Sequence, residues 1–363
     1  MVDGEKQGEH VTYNRLGVIA SRINYLNDEQ QGYTEYYHGN GKVDYEQRFN
    51  EGWLKEITQF DSTGKILSTA SFPKGSGTFE FKLFNGKTYI KGNYEHNYLN
   101  GEYRSFYPDG SLSTLQYYKV GSQDSIYKSY YYGGKLASEG KYDNGNKQGE
   151  WKYYHENGNL HYKETYVNGV ENGKVTLYNE DGTMGKEIEY KDNLLHGPYR
   201  VYGENNQLAV EYQYINGVFT SYSYEGKDGK MVPQIFLKNA TGDVKAFYKN
   251  GAKSIELRIE GNEGQGMRKA YFANGKTYIE VNRLDGYEHG AKKVYLPSGQ
   301  LESDENYFYG ELHGAVTTYY PNGKLKSQEN YNNGERHGEC KYYGPNGKLE
   351  SRTYFYGVLQ SVK

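Results

Sequence analysis

The chain has 363 residues, of which 44 are tyrosine and 35% are hydrophobic. So low an apolar fraction argues against a thick globular core, and no apolar run is long enough to form a transmembrane helix. The net charge of −3 gives no basis for binding nucleic acid or an anionic membrane surface.

The first residues already belong to a repeating pattern. The segment from Val2 to Gly8 aligns with the segment from Val167 to Gly173. We therefore expect the chain to open in the middle of a repeat, with the native N-terminus and any signal sequence lying upstream.

One turn glycine returns about every 24 residues, and a fixed period of this size indicates a repeat array. Its slot is filled by Gly17, Gly41, Gly64, Gly86, Gly110, Gly134, Gly158, Gly182, Asn206, Gly229, Gly251, Gly275, Gly299, Gly323 and Gly347. The pattern predicts an all-β fold: an elongated, solenoid-like array of about fifteen antiparallel β-hairpins that form one long twisted or rolled sheet.

Three columns of side chains accompany this glycine. An aromatic residue such as Phe106 or Tyr154 stands four positions before it, an aliphatic residue such as Leu112 two positions after it, and a second aromatic residue such as Tyr118 eight positions after it. The sequence Tyr107-Pro-Asp-Gly-Ser111 suits a type I turn closed by glycine. A three-residue loop then pairs Tyr107 with Ser111, and strict alternation along the strands would gather the three columns on one buried face.

A second glycine opens each first strand, nine positions before the turn, as in Gly149 and Gly314. We expect it to mark the place where one hairpin leads to the next. The repeats form a single domain, 1–363, with irregular copies at 51–97 and 217–262. In these stretches Lys55 and Thr220 replace the strand-opening glycine, and Lys82 and Glu225 replace the first aromatic residue.

The irregular stretches are where we expect a protein partner to dock. A polar residue in an apolar column should bend the sheet, and solenoids bind on the surfaces that such bends shape. The stretch 217–262 is favoured because it offers aromatic anchors. The candidate protein-binding residues are Tyr222, Tyr224, Phe236, Phe247, Trp151 and Tyr153. The alternative for the irregular stretches is drift in a tolerant array. For Tyr222, Tyr224, Trp151 and Tyr153 the alternative is that a rolled sheet half-buries the rings against their neighbours.

No catalytic, cofactor or metal site is predicted. The histidines at 196, 289, 313 and 337 fall in one column, but hairpins lie about 10 Å apart, too far for the ligands of one zinc ion. Cys340 is expected to be a small buried residue. The segment Gly261–Gly266 lacks the Lys-Ser/Thr of a phosphate loop. We therefore expect that the protein is not an enzyme.

The pattern G-x-x-x-x-Y-Y-x-N-G-x-L, best seen in Gly149–Gly173 and Gly314–Gly338, resembles a variant of the MORN repeat, and in particular the bacterial YwqK-family antitoxin repeats. The resemblance implies β-hairpins that bind another protein, as an antitoxin or immunity-type protein that neutralises a toxin. The alternative is a scaffold or assembly component of the bacterial cell envelope. The first role implies a cytoplasmic location, and the second a periplasmic or envelope location.

Overall fold

The computed structural model describes residues 5–15 and 17–363, and within them every regular element is a β-strand apart from three short 3-10 turns. The chain divides into two compact units, 1–172 and 173–363. The all-β array of antiparallel hairpins is thus confirmed. None of the described helical turns is long or apolar enough to cross a membrane.

The first unit contains sixteen strands. Strands β1 to β6 pair in sequence order as one sheet; β7 to β15 pair as a second, with β9 and β16 as short extensions. The strands are β1 (Gly8–Tyr13), β2 (Ile19–Leu26), β3 (Glu29–Tyr37), β4 (Val43–Asn50), β5 (Trp53–Phe60), β6 (Ile66–Ser71), β7 (Gly77–Lys82), β8 (Thr88–Glu95), β9 (Tyr98–Leu99), β10 (Gly101–Phe106), β11 (Leu112–Lys119), β12 (Ser122–Tyr130), β13 (Leu136–Asp143), β14 (Asn146–Tyr154), β15 (Leu160–Val167) and β16 (Val170–Glu171).

The second unit repeats this plan. Strands β17 to β22 pair in sequence order, and β23 to β35 form a 13-stranded sheet with β29 and β32 as short extensions. The strands are β17 (Gly173–Tyr178), β18 (Met184–Lys191), β19 (Leu194–Tyr202), β20 (Leu208–Ile215), β21 (Val218–Ser223), β22 (Ile235–Phe236), β23 (Gly242–Phe247), β24 (Lys253–Glu260), β25 (Glu263–Tyr271), β26 (Thr277–Leu284), β27 (Tyr287–Tyr295), β28 (Leu301–Phe308), β29 (Glu311–Leu312), β30 (Gly314–Tyr319), β31 (Leu325–Asn332), β32 (Glu335–Arg336), β33 (Gly338–Tyr343), β34 (Leu349–Phe355) and β35 (Val358–Val362).

The three-residue hairpin loop is confirmed. The Tyr107 N–H donates to the Ser111 carbonyl at 2.8 Å, and the Gly110 N–H donates to the Tyr107 carbonyl at 2.8 Å. Phe106 pairs with Leu112, as the turn chemistry predicts. The return connection between hairpins is a two-residue turn such as Asn144-Gly145, in which both residues have positive φ.

The predicted assignment of faces needs a correction. Ser105 pairs with Thr114 while Phe106 pairs with Leu112, so one extra residue bulges from the second strand. The bulge reverses the alternation, and Leu112 and Tyr118 point to opposite faces. The same shift recurs in the other hairpins up to β30–β31, except β21–β22, which pair without it.

The last hairpin shows the rule by lacking the bulge. Strands β33 and β34 pair without a shift, and β34 has seven residues where β28 and β31 have eight. Tyr354 therefore takes the inner position that the repeat spacing assigned to Phe355. Tyr354 is buried, whereas Phe355 is 60% exposed.

The inner face carries Trp151, Val175, Val316 and Cys340, which are equivalent residues of four hairpins, and all are buried. We call this the core face. Trp151 fits because Gly140 lies opposite, where a Cβ would come within 2.2 Å of the indole ring. The burial of Cys340 matches the expectation for a small core residue.

The outer face carries the first aromatic column, which we had expected in the core. Tyr154 is half-buried there beside Lys152, and its hydroxyl donates to Glu139 Oε1 at 2.8 Å. Tyr202 and Tyr271 donate to Glu187 and Glu256 in the same way, at 2.7 and 2.5 Å. These tyrosines therefore link neighbouring hairpins through hydrogen bonds to carboxylates.

The tyrosine that follows the first aromatic column forms a hydrogen bond to the backbone of the next hairpin. The Tyr131 hydroxyl donates to the Tyr154 carbonyl of the following hairpin at 2.6 Å, and the Tyr320 hydroxyl donates to the Tyr343 carbonyl at 2.7 Å. The abundance of Tyr-Tyr pairs thus has a structural reason, because one ring serves the outer face and the other serves the loop edge.

Backbone pairing is interrupted at two places, between β6 and β7 and between β22 and β23. Each break contains a 3-10 turn, Pro73–Gly75 in one and Lys238–Ala240 in the other. Both lie inside the stretches that the sequence marked as irregular. We call 51–97 the first junction and 217–262 the second junction. A side chain of a neighbouring strand that faces one of these stretches is said to be at that junction. The two buried apolar clusters of the described chain form at these junctions.

Candidate functional site at the second junction

Two layers of sheet meet at the second junction, since β20 lies against β23 and β24. The apolar cluster between them consists of Val210, Tyr212, Phe219, Tyr222, Ala240, Val244, Ala246, Ile255 and Ile259. Aliphatic and small residues dominate on β23 and β24. The core faces of successive hairpins thus cover one another here, which a single twisted sheet does not allow.

One asparagine forms two hydrogen bonds from one layer to the other. Asn262 Oδ1 accepts a hydrogen bond from the Phe219 N–H at 2.6 Å, and its Nδ2 donates to the Gly217 carbonyl at 3.0 Å. Asn262 occupies the second position of the return turn, where most repeats have glycine, and its φ is 82°. It therefore satisfies two backbone groups of a turn that lies two hairpins earlier.

The layers leave a cleft of about 430 Å³ at their loop edge. Ser254 Oγ donates to the Ala209 carbonyl at 2.5 Å, and this bond ties the two walls together. The cleft is lined by Asn179, Asp181, Thr183, Val201, Tyr202, Gly203, Glu204, Asn205, Ala209, Tyr248, Ser254, Ile255, Arg268, Ala270, Tyr271, Phe272 and Tyr278. One cationic side chain, Arg268, is among these residues.

Arg268 has a second arginine beside it on the core face. Arg268 pairs with Val281 and Gly266 pairs with Arg283, so the two guanidinium groups project from adjacent strands on the same side. The Arg283 side chain runs over Gly264, where a Cβ would lie 3.0 Å from its Cδ. Within 5–15 and 17–363, the Arg283 Nε is buried and has no hydrogen-bond partner.

The electrostatics of the pair are unfavourable. Burial lowers the pKa of Arg283, and the charge of Arg268 lowers it further. Glu288 acts in the opposite direction, but its carboxylate lies 3.3 Å from Lys292 Nζ. The described side chains provide neither arginine with an ion pair, so two like charges share a partly desolvated site.

Three tyrosines of β19 and β20 lie within electrostatic range of the arginines: Tyr199, Tyr212 and Tyr214. Burial raises the pKa of Tyr212, against the influence of Arg268 and Arg283. Burial also raises the pKa of Tyr214, to about 12. The hydroxyl groups of Tyr212 and Tyr214 are therefore neutral at physiological pH. Together with the guanidinium groups they form a set of hydrogen-bond donors.

The six residues that we expected to bind a partner fall into different environments. Trp151 and Tyr222 are 2% and 5% exposed, and both pack in the core. Tyr153 stacks on Tyr162 on the core face, with ring centroids 4.2 Å apart. Trp151 and Tyr222 therefore have little surface left, and Tyr153 is half-buried.

The other three residues lie at the second junction. Tyr224 and Phe247 contact each other, with ring centroids 5.5 Å apart, and Tyr224 packs against the junction cluster. Phe236 is 75% exposed and belongs to β22, the last strand of its sheet. Phe236 thus offers the largest free surface of the six.

Sequence reasoning missed Arg268 and Arg283. Their slots hold Tyr103 and Tyr118 in the corresponding hairpin of the first junction, where the rings lie 5.5 Å apart. Two arginines in slots that face the core were visible as a departure from the columns. Because of the bulge, the slots of Arg268 and Arg283 lie together on the core face.

The arrangement suits recognition of an anion. The described residues contain no group of three or more His, Cys, Asp or Glu side chains that could hold a metal ion. In the histidine column, His196 Nδ1 lies 3.0 Å from Asn216 Oδ1 of the following return turn, whereas the Nδ1 atoms of His289 and His337 are buried without a hydrogen-bond partner among the described residues. The arginine pair offers fork-shaped donors that match a carboxylate or phosphate.

The fold and the bulged hairpins define a repeat protein of the β-hairpin class. The family described as MORN repeat variant matches residues 99–119, 123–144, 147–168, 195–216, 312–333 and 336–355. The chain therefore contains MORN repeats of the variant type. None of the matched segments lies in either junction.

No curated protein matches the chain. Among solved structures, the crystal structure of TcdB2-TccC3-TEV is 12% identical with a TM-score of 0.18, and the match covers 97% of this chain and 21% of that chain. The crystal structure of TcdB2-TccC3-Cdc42 is 9% identical with a TM-score of 0.14, and the match covers 97% of this chain and 27% of that chain. The chain thus spans about a fifth to a quarter of the length of these proteins.

Proposed function

We propose that this protein is not an enzyme and acts by binding another protein at the second junction. MORN repeats suggest a role in protein–protein interaction. The observation that carries the proposal is the contrast between hairpins. In the regular hairpins, the core-face rings pack and the outer-face tyrosines bond to carboxylates. The second junction has a cleft, two arginines without an ion pair among the described residues, Arg268 and Arg283, and the exposed ring of Phe236.

The exposed ring stands on a suitable strand. Strand β22 pairs with β21 along one edge, and its other edge faces the break in the sheet. A partner segment can add to such an edge through its main chain, while Phe236 supplies an aromatic anchor. We further propose that the partner is a toxin that this protein neutralises. A component of a cell-envelope complex is the alternative.

The test is capture of partners from the native organism with three immobilised proteins: wild type, Phe236→Asp and Phe84→Asp. Phe84 is 87% exposed and lies in the first junction, so it is a matched control for loss of an exposed ring. Capture by wild type and by Phe84→Asp, with loss in Phe236→Asp, is the expected result. Equal capture by all three would refute the location, and no partner for any of them would refute the function.

The nature of the partner separates the two roles. A captured protein that stops growth when expressed alone, and no longer does so when this chain is co-expressed, is the result expected for an antitoxin. A captured component of an envelope complex, with no effect on growth, would reject the antitoxin role and favour the scaffold.

A further inference from the structure

The arginine pair of the second junction identifies the chemistry of the bound group. We infer that Arg268, which lines the cleft between the layers, and Arg283 on the adjacent strand bind a carboxylate carried by an acidic peptide segment of the partner, which enters at that cleft. This inference rests on the proposed function, because it assumes a partner at the second junction.

The first step is the lack of an internal counter-charge. Five other arginines each have a carboxylate oxygen at 2.5 to 2.8 Å: Arg104, Arg200, Arg258, Arg336 and Arg352. Arg268 and Arg283 have none within the described part of the chain, although Arg283 is among the more buried. Leaving buried charges unpaired is unfavourable, so a group from outside the chain is the natural partner.

The second step is a comparison within the molecule. At the first junction the same two slots hold Tyr103 and Tyr118, whose rings pack edge to face. That solution closes a junction of the same design without any charge. The arginines are therefore not needed to build the corner, which favours a role in binding.

The third step concerns the surroundings of the pair, which are mixed in polarity. The Tyr212 hydroxyl lies within electrostatic range of both guanidinium groups and can donate to the same anion. Besides Arg268, the cleft lining has apolar residues such as Val201, Ile255 and Phe272, and two acidic ones, Asp181 and Glu204. A single acidic side chain flanked by apolar residues complements Arg268 and the apolar part of this lining.

The fourth step concerns size. Water occupies about 30 Å³ per molecule in the liquid, so a cleft of about 430 Å³ holds roughly 14 molecules. A single small anion would fill a minor part of that space. A peptide segment fills more of it and places its carboxylate at the fork-shaped donors of the arginines. Glu263 and Glu288 lie near the pair, so the site should select a single carboxylate rather than a dense acidic run.

The experiment measures binding of a fluorescent peptide of Glu-Leu-Gly repeats, with the Gln-Leu-Gly peptide and inorganic phosphate as competitors. We expect Arg268→Gln and Arg283→Gln to weaken binding of the Glu peptide at least about tenfold. Arg258→Gln should leave it unchanged, because Arg258 is bonded to Asp243 and Glu260 on the exposed surface. The Gln peptide should not compete.

A double variant, Arg268→Tyr with Arg283→Tyr, guards against misfolding. It restores the residues of the first junction, so it should melt at a temperature equal to or above that of the wild type and still lose the peptide. Unchanged binding by this variant would overturn the inference. So would equal binding of the Gln peptide, or displacement by phosphate with no binding of either peptide. The capture test with Phe236→Asp addresses docking separately, and its outcome does not depend on these arginines.

Discussion

The two junctions are built to the same plan and filled in different ways. Asn97 bonds the Leu54 N–H and the Gly52 carbonyl at 2.9 and 2.7 Å, as Asn262 bonds the Phe219 N–H and the Gly217 carbonyl. Counterparts fall at a constant offset along the chain. The shared clamp gives both junctions the same side-chain bond between two return turns.

The fillings differ in chemistry. Aromatic rings crowd the first junction, where Phe72 and Phe79 are buried and both contact Tyr94. Its two clefts measure about 280 and 470 Å³; the first has no cationic residue in its lining, and the second is lined in part by Lys82 and Lys91. The second junction has mainly aliphatic and small residues on β23 and β24, a cleft of about 430 Å³, and two arginines without an ion pair among the described residues. The two corners therefore differ in how their cores are packed and in the arginine pair, and both have a cleft.

The largest expected effect is loss of a corner residue. Leu54 and Phe219 occupy the same slot, and each is 1% exposed. Leu54→Ala should lower the free energy of unfolding by about 2–5 kcal/mol, and Phe219→Ala by about 3–5 kcal/mol. Urea unfolding, monitored by hydrogen exchange, measures the free energy of unfolding of both variants. Phe236→Ala, at an exposed position, is the control and should cost less than about 0.5 kcal/mol.

Loss of the clamp should come next. Asn97→Ala and Asn262→Ala each leave two backbone groups without partners, which should cost about 2–4 kcal/mol at either junction. Asn144→Ala tests the strain of alanine at positive φ alone, because Asn144 has φ 48° and makes no clamp. Equal exchange protection in Asn144→Ala and the clamp variants would contradict the shared design.

A smaller effect is expected in the regular hairpins. Gly140→Ala places a Cβ 2.2 Å from the buried Trp151 ring, so the indole must move, at about 1–3 kcal/mol. Tryptophan fluorescence should shift to longer wavelength as the ring gains exposure. Gly39→Ala is a control in a loop, where a Cβ would have no neighbour within 4 Å and the backbone does not require a positive φ. A wild-type spectrum for Gly140→Ala would argue against this packing.

The smallest effects distinguish the outer face from the core face. Tyr154→Phe removes the bond to Glu139 and should cost about 1 kcal/mol. Lys152→Ala, on the same face, should cost within about 0.5 kcal/mol. Denaturant midpoints measure both variants. A loss of 3 kcal/mol or more for Tyr154→Phe would place this ring in a core that the described structure does not show.

Much of the fold followed from local chemistry. The pairing of Tyr107 with Ser111 was predictable because proline and glycine select the turn, and the turn sets the register. The two interruptions of the sheet fell where Lys55, Lys82, Thr220 and Glu225 break the columns. A repeat makes such departures visible in the sequence, since each hairpin is a control for the others.

The faces and the site depended on tertiary structure. One bulged residue in each hairpin turns the first aromatic column outward, and neither Ser113 nor its counterparts carry a signal that separates a bulge from ordinary alternation. Arg268 and Arg283 stood out in their columns, but their meaning depends on which strands cover them.

The sequence alone therefore determined the hairpin, its period and the position of the two corners, because turns and strand alternation act over a few residues. Tertiary structure decided that Asn262 reaches the Phe219 N–H, 43 residues away. It also decided that Tyr199, Tyr212 and Tyr214 lie within electrostatic range of the two arginines. These contacts arise when one layer folds onto another, and no local pattern specifies which layer that will be.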